Sequence, residues 1–373
     1  MSIDVTRAQV MAYRMAATGL DRALPPGAPV SGLPVLDLGV QDTPYGTARI
    51  ALAARLPAPP PADVDGLTLV WAARGAPHLH RRGDLPAVAR ALWPLSDADA
   101  TARIMNPRMK EGARLGRAAF TAAAEALRAA VPGPTPKGEA STRVSARVPA
   151  SLTYDCVPCK ARHISGALFQ QIGVAAAVRV VPEGRSTVLA PVGGDPWPVP
   201  ESAAGTDDLV RAYLRLLGPA GPAEAAAFLG TNRANAAPVW PGGLAEVRVD
   251  GRTAWLPEEC VDALRAAAPP EYVRLVPARD PLLQARDRDV LLPRRGHQKM
   301  LWTAISAPGA VLANGEIAGV WRARAAGKSA IEVAVTPFAP LPRAVVAAVE
   351  AEAQVLAALR AVPSASVTIA EPA

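Results

Sequence analysis

Leu244-Ala-Glu-Val-Arg-Val-Asp-Gly-Arg-Thr-Ala-Trp-Leu256 alternates apolar and polar residues on either side of Asp250-Gly251. Strand side chains point to opposite faces in turn, and Asp-Gly tolerates the positive φ of a two-residue hairpin turn. The stretch therefore reads as a β-hairpin. Upstream, Asp207 to Leu217 puts Leu209, Ala212, Tyr213 and Leu216 on one helical stripe. Gly218-Pro-Ala-Gly-Pro-Ala breaks that helix, and Glu224 to Leu229 forms a short second one. Thr231 stands where an N-cap would start a third through Ala237. Helix, helix, helix, hairpin is the order of a winged helix.

The preceding segment ends in the same way. Arg162 to Ile172 is predicted as a helix with Ile164, Ala167, Leu168 and Ile172 on one side and His163, Gly166 and Gln170 on the other. Val178 to Leu189 reads as a hairpin turning at Pro182-Glu-Gly-Arg185. The first segment is longer, with helices near Arg7–Gly19, Tyr45–Arg55, Leu85–Trp93 and Arg117–Ala130 and a strand at Leu67-Thr-Leu-Val-Trp71. The last segment differs. It has a hairpin around Asn314-Gly315, a third strand over Gly327–Val335, and a helix over Leu341–Leu359 placed to cover one face.

Pro/Gly-rich stretches at 56–62, 132–138, 193–200 and 269–270 separate these pieces, since proline fixes its own φ and cannot donate. The expected class is α+β, with tandem winged-helix units at 1–131, 139–192 and 201–268. A small β-meander plus helix at 271–373 closes the chain.

Half of the 373 residues are apolar and a fifth are charged, so the chain affords packed cores and is not a disordered protein. It has no uncharged apolar run of the roughly 18 residues that a membrane span needs, and no apolar signal core near the N-terminus. The expected setting is the cytoplasm. Forty Lys and Arg against 33 Asp and Glu give a net charge of +7, and 35 of the cations are Arg. The planar guanidinium suits phosphate and guanine; the same excess also fits a chain rich in Ala, Arg and Pro with charges spread over ordinary surfaces. Three cysteines argue against a disulfide-built scaffold.

Several clusters could carry chemistry. Cys156-Val-Pro-Cys159 followed by His163 has the spacing of metal ligands or of a redox dithiol. A closed zinc site needs four ligands, and Cys260, His78, His80 and His297 form no second paired motif. The expectation from spacing is therefore a pair of thiols capping the approach to the 162–172 helix, without metal. Arg74-Gly75-Ala-Pro-His78-Leu-His80-Arg81-Arg82 is the densest basic and imidazole cluster. It reads either as a solvated loop or as a clamp on a phosphate backbone with His78 near a reacting group. Gln41-Asp42, just before a helix, suits an N-cap device. Arg286-Asp-Arg-Asp289 suits local ion pairs, and Arg294-Arg295-Gly-His297-Gln-Lys299 suits a basic loop on an anionic strand. No Gly-rich phosphate loop, nucleophile elbow or His-Glu-x-x-His motif occurs, which leaves kinase, NTPase, hydrolase-fold and dehydrogenase readings unsupported.

Taken in order, several of these pieces resemble the winged-helix DNA-binding domain proteins of the AlkZ/YcaQ-like DNA glycosylase family. The matching residues are Gln41-Asp42 ahead of the Tyr45–Arg55 helix, and Val70-Trp71 through Arg74-Gly75 to His78. Leu209-Val-Arg-Ala-Tyr-Leu214 with Gly218-Pro219, and Val249-Asp-Gly-Arg252 with Trp255-Leu256, match too. So do Asp280-Pro-Leu-Leu283 with Arg286-Asp-Arg288, and Asn314 to Arg322. The resemblance spans nearly the whole chain and is weakest over 100–205.

It implies three tandem winged helices around a basic face that binds double-stranded DNA, as a monomer and without cofactor, metal or membrane. The implied reaction is hydrolysis of the N-glycosidic bonds of alkylated or crosslinked bases. The family's signature of Gln, an apolar residue, then Gln or Asp falls on Gly39-Val40-Gln41, so Gly39 replaces the first Gln. Gln41, Asp42 and His78 are the implied catalytic residues. Arg74, Arg81, Arg82, His163, Gln170, Arg294, Arg295 and Lys299 are the DNA-facing candidates. The alternative is a non-catalytic DNA binder, a regulator or lesion binder that has lost that first Gln.

Overall fold

The computed structural model describes residues 3–25, 27–184 and 186–373, and the chain is α+β throughout. Arg185, one corner of the expected 182–185 turn, lies outside the described residues. The chain divides into two compact units, each built from distant stretches: Met1–Asp65, Ala212–Gly221 and Gly242–Ala373 form one, Gly66–Arg211 and Pro222–Pro241 the other. This division does not follow the Pro/Gly-rich breaks, because strand pairing and burial act across the sequence whereas prolines mark only local breaks.

In the first unit the Leu244–Val249 and Arg252–Pro257 strands pair antiparallel, Val249 opposite Arg252, with Asp250 and Gly251 at φ 46° and 82°. Ile3–Val5 adds a parallel strand on the outer side of Leu244–Val249. The helix Arg7–Ala17 starts at Thr6 with a reciprocal capping box to Gln9, and packs Val10 and Tyr13 against Val247, Leu256 and Leu264. A second sheet runs Val273–Val276, Gly309–Ala313, Glu316–Ala326, Ala330–Pro337 and Ser364–Ile369 in order. Its inner face, with Val311, Val333 and Val335, is covered by Val349, Ala353 and Leu356 of the Arg343–Leu359 helix. The expected three-strand meander thus gains one strand on each edge.

Two buried ion pairs bind this unit together. Arg55 and Asp280 are both inaccessible to solvent and meet in a fork, at 2.7 and 2.8 Å. Arg55 donates further to the carbonyls of Thr18 (2.6 Å) and Ala51 (2.7 Å), so its donors are satisfied. Arg14 meets Asp287 in the same way, at 2.9 and 2.5 Å. Asp287 was expected to pair locally with its flanking arginines; its partner instead lies 273 residues away, and Asp289 accepts from Gln298.

In the second unit Pro77–Arg81, Leu67–Trp71, Val178–Glu183, Ser186–Pro191 and Thr135–Pro136 pair in that order. Trp71, Phe120, Leu127, Val144, Leu168, Phe169 and Ile172 fill its core, with helices Arg117–Ala130, Lys137–Ser145 and Gly166–Gln171 around them. The expected 162–172 helix is shorter than its pattern. Ala161–Ile164 is a strand paired with Thr153–Cys156, and the helix begins only after Ser165. Ile164 and Leu168 are four apart, which suits a helix, but Ile164 reaches the core from the strand. Similarly, Asn232 rather than Thr231 caps the Arg233–Ala236 helix, its side chain accepting from Asn235 at 2.9 Å. Thr231 instead donates to Asp99. The short helices Pro222–Leu229 and Arg233–Ala236 fall in the second unit, while the hairpin that follows them in sequence falls in the first. Among the described residues, no helix is long and apolar enough to cross a membrane.

Candidate active site

The Gln41-Asp42 segment belongs to the first unit. Pro34–Asp37 forms a single tight turn, Gly39 reverses the chain at φ 75°, and Val40 is fully buried. Gln41 and Asp42 follow, both nearly buried, and Thr47–Ala53 is the next helix. Asp42 accepts the Ala48 N–H at 2.8 Å, and the N–H groups of Gly46 and Thr47 also donate to its carboxylate. Burial raises its pKa above the ordinary carboxylate value, and these N–H bonds oppose the rise. The carboxylate thus answers the free amides of a helix start.

Gln41 Nε2 donates to Thr43 Oγ1 at 3.3 Å. Thr43 in turn lines a cleft of about 410 Å³ with Pro44, Thr47, Arg279, Trp321, Arg322 and Arg360. The cleft carries three guanidinium groups and no carboxylate among its lining residues. Arg279 and Arg360, which line this cleft, were not singled out by the sequence. Arg322 closes the Asn314–Arg322 motif, and that motif was the one available signal for this wall.

His78 belongs to the second unit and is fully buried on the Pro77–Arg81 strand. Its Nδ1 lies 2.9 Å from the Ala76 carbonyl, which can only accept, so Nδ1 carries the hydrogen. Burial first, then the charges of Arg74 and His80, hold its pKa well below the usual histidine value. It is neutral at pH 7. His80 lies beneath the same sheet, its ring 6.1 Å away and its pKa lowered to about 4 by burial. Neither ring nitrogen of His80 has a hydrogen-bond partner among the described residues. The centre of the 74–82 cluster is therefore the strand Pro77–Arg81, flanked by single turns at Ala73–Gly75 and Arg82–Asp84, and its alternate imidazoles are buried rather than solvated.

The arginines of that cluster have protein partners. Arg74 donates to the Phe228 carbonyl and lies over its ring, 5.3 Å from the centroid. Arg81 meets Asp84 at 3.1 Å, and Arg82, which is exposed, donates to Thr68 at 3.3 Å. Gln170 packs on the 73–75 turn. A Cβ on Gly75, whose φ is 71°, would sit 3.1 Å from the Gln170 Cβ. His163 is on the Ala161–Ile164 strand and so does not share a helical face with Gln170; its neighbours are Cys156 and Cys159. In the first unit Arg294, Arg295 and Lys299 are all exposed. The expected basic loop is in fact the helix Arg295–Leu301, with Arg295 and Lys299 one turn apart on one face.

The family model for AlkZ-like DNA glycosylases matches residues 35–359. Among curated proteins none matches the chain by sequence. Among solved structures, the Streptomyces sahachiroi DNA glycosylase AlkZ is similar in fold. Its TM-score is 0.73 at 22% identity, covering 99% of this chain and 100% of that one. With the family pattern running from the turn before Gln41 to the end of the Arg343–Leu359 helix, the chain belongs to the AlkZ-like DNA glycosylase family.

Proposed function

We propose that this chain is an active DNA glycosylase that hydrolyses the N-glycosidic bond of alkylated or crosslinked bases in double-stranded DNA, with Gln41 as the residue that orients the attacking water. The observation that carries this reading is the run from the nearly buried Gln41 amide through Thr43 to the arginine-lined cleft. Guanidinium groups suit phosphates on either side of a lesion. A positively charged alkylated base is already a good leaving group. When the bond between the sugar C1′ and the base nitrogen breaks, its electron pair neutralises the base and leaves a cationic sugar. Water adds to C1′ through its oxygen, and the proton it releases passes to bulk solvent. An amide that only holds that water can therefore suffice.

Asp42 is a positioning residue in this reading. Its carboxylate holds the turn that carries Gln41 by capping the Thr47 helix. His78, neutral and hydrogen-bonded to Ala76, supports the second unit rather than exchanging protons with substrate. In this reading the DNA-binding frame is the tandem winged-helix series expected at 1–131, 139–192 and 201–268 with the 271–373 closing unit, stretches that the two compact units share between them. The exposed face of Arg295 and Lys299, with Arg294 beside it, tracks the backbone. The protein acts as a cytoplasmic, nucleoid-associated monomer, and the hydrolysis needs no cofactor.

The competing reading, a binder without catalysis, draws on Gly39 in place of the family's first Gln. Incubation with N7-alkylated and crosslinked duplexes, followed by alkaline cleavage at abasic sites, separates the two. Base release is expected from the wild type. Gln41→Ala should lower it about 100- to 1000-fold with DNA affinity nearly unchanged, because an oriented water matters chiefly in the transition state. No release from any alkylated duplex would leave the binder reading standing.

A further inference from the structure

The strands Thr153–Cys156 and Ala161–Ile164 pair antiparallel, with Tyr154 opposite His163 and Cys156 opposite Ala161. Residues 161 and 163 share one face of the strand, and a residue directly opposite shares it too. Cys156 and His163 are therefore diagonal neighbours on that face. The turn 157–160 brings Cys159 back over them, with Lys160 at φ 49°. As a result the two sulfurs and a ring nitrogen of His163 all lie within 4.8 Å of one another. Asp155 points to the opposite face and sits 3.7 Å from Arg162, so it is not a fourth member.

Two details prepare the group for a metal. The backbone N–H of Cys159 donates to the Cys156 sulfur, the kind of contact that holds a thiolate in place. His163 Nδ1 lies 2.8 Å from the Ile164 carbonyl, which only accepts, so the hydrogen is on Nδ1. The Nε2 lone pair is then left for the sulfurs, the arrangement common to metal-binding histidines. The hairpin is anchored from below. Ser145 Oγ accepts the Ile164 N–H at 2.8 Å, and Tyr154 packs edge-on to His163 with Arg108 over its own ring.

We propose that Cys156, Cys159 and His163 bind one Zn²⁺, with water in the fourth position. Tetrahedral zinc places thiolate and imidazole donors about 3.5–3.8 Å apart, given bonds of about 2.3 Å to sulfur and 2.0–2.1 Å to nitrogen. Two sulfurs and an imidazole select a borderline-soft ion and disfavour magnesium or calcium. Cys159 is exposed and Val157 is 81% exposed at the hairpin tip, so water can reach the open position. The ion would pin the tip of a two-stranded hairpin that is otherwise short. This reverses the expectation drawn from sequence, which demanded four protein ligands.

The test is a Co²⁺ titration of the untagged, fully reduced protein, followed by displacement with Zn²⁺. A thiolate-to-cobalt charge-transfer band that saturates at one ion per chain, is bleached by one equivalent of zinc, and disappears in Cys156→Ser and Cys159→Ser supports the site. His163→Ala should weaken zinc at least about 10-fold in competition with a chromophoric chelator. A reduced wild type that gives no band and does not compete with the chelator overturns the proposal. So does one whose two cysteines simply form a disulfide in air while the reduced form ignores metal; that result would mark a redox dithiol instead.

Discussion

Replacing Asp42 tests whether its carboxylate holds the site or reacts in it. Of its three N–H donors, that of Thr47 also has the Pro44 carbonyl at 3.2 Å, and that of Gly46 can reach water once the carboxylate is gone because Gly46 is exposed. Ala48 is buried, and its N–H loses a 2.8 Å bond with no replacement. Asp42→Ala should therefore cost about 1 kcal/mol for the lost cap and about 1–2 kcal/mol more for the stranded donor, measured by urea unfolding. Asp42→Asn keeps an acceptor for Ala48 but turns an amide nitrogen toward other donors, so about 1 kcal/mol is expected.

The pH dependence has a definite sign. A carboxylate whose folded pKa is raised contributes stability that is present below its unfolded pKa and lost as pH rises through the folded value. Asp42 is such a group, with burial as the main cause and an ordinary value of 3.8 as the reference. The deficit of Asp42→Asn relative to wild type should thus shrink between pH 4 and pH 7. A deficit that grows with pH would mean the N–H bonds outweigh burial. In the base-release assay Asp42→Asn should stay within about tenfold of wild type, since general bases contribute about 100- to 10,000-fold. A loss beyond 100-fold at unchanged stability and DNA affinity would make Asp42 the base and refute its assignment as a cap.

Two further outcomes follow from the packing and the charge. Asp280→Ala leaves Arg55 as an unpaired buried cation, and should lower stability by about 3–5 kcal/mol in denaturant unfolding; Arg55→Met with Asp280→Leu should recover much of that, and failure to do so would show that the Thr18 and Ala51 contacts matter more. DNA affinity should fall with salt at a log–log slope near −4 to −5, for about five neutralised phosphates, and Arg295→Ala with Lys299→Ala should flatten it by about 2. An unchanged slope in that double variant would remove the Arg295–Leu301 helix from the interface.

What could be read from the sequence was what local chemistry decides. Asp250-Gly251 and Asn314-Gly315 adopt the positive φ values that made them hairpin turns on paper. The Arg343–Leu359 helix covers the sheet as its apolar stripe required. The Gln41-Asp42 segment was also legible, as a polar pair before a helix start. Illegible parts depend on partners far away in the chain. Ile3–Val5 becomes a strand only because Val247 to Val249 lies beside it, and Ser364–Ile369 because Ala330–Val335 does. Arg14 and Arg55 look like surface cations within helices, yet each is fully buried because Asp287 and Asp280 wait more than 200 residues on. The arginine wall beside Thr43 is dispersed over 279–360, so no window of sequence contains it. His163 shows the sharpest ambiguity. Ile164 and Leu168 fit a helical stripe, and strand pairing with Tyr154 overrides that spacing by one short hairpin. The shift turns a residue expected to face DNA toward two thiols, so a four-residue error in secondary structure moves a side chain from one chemistry to another.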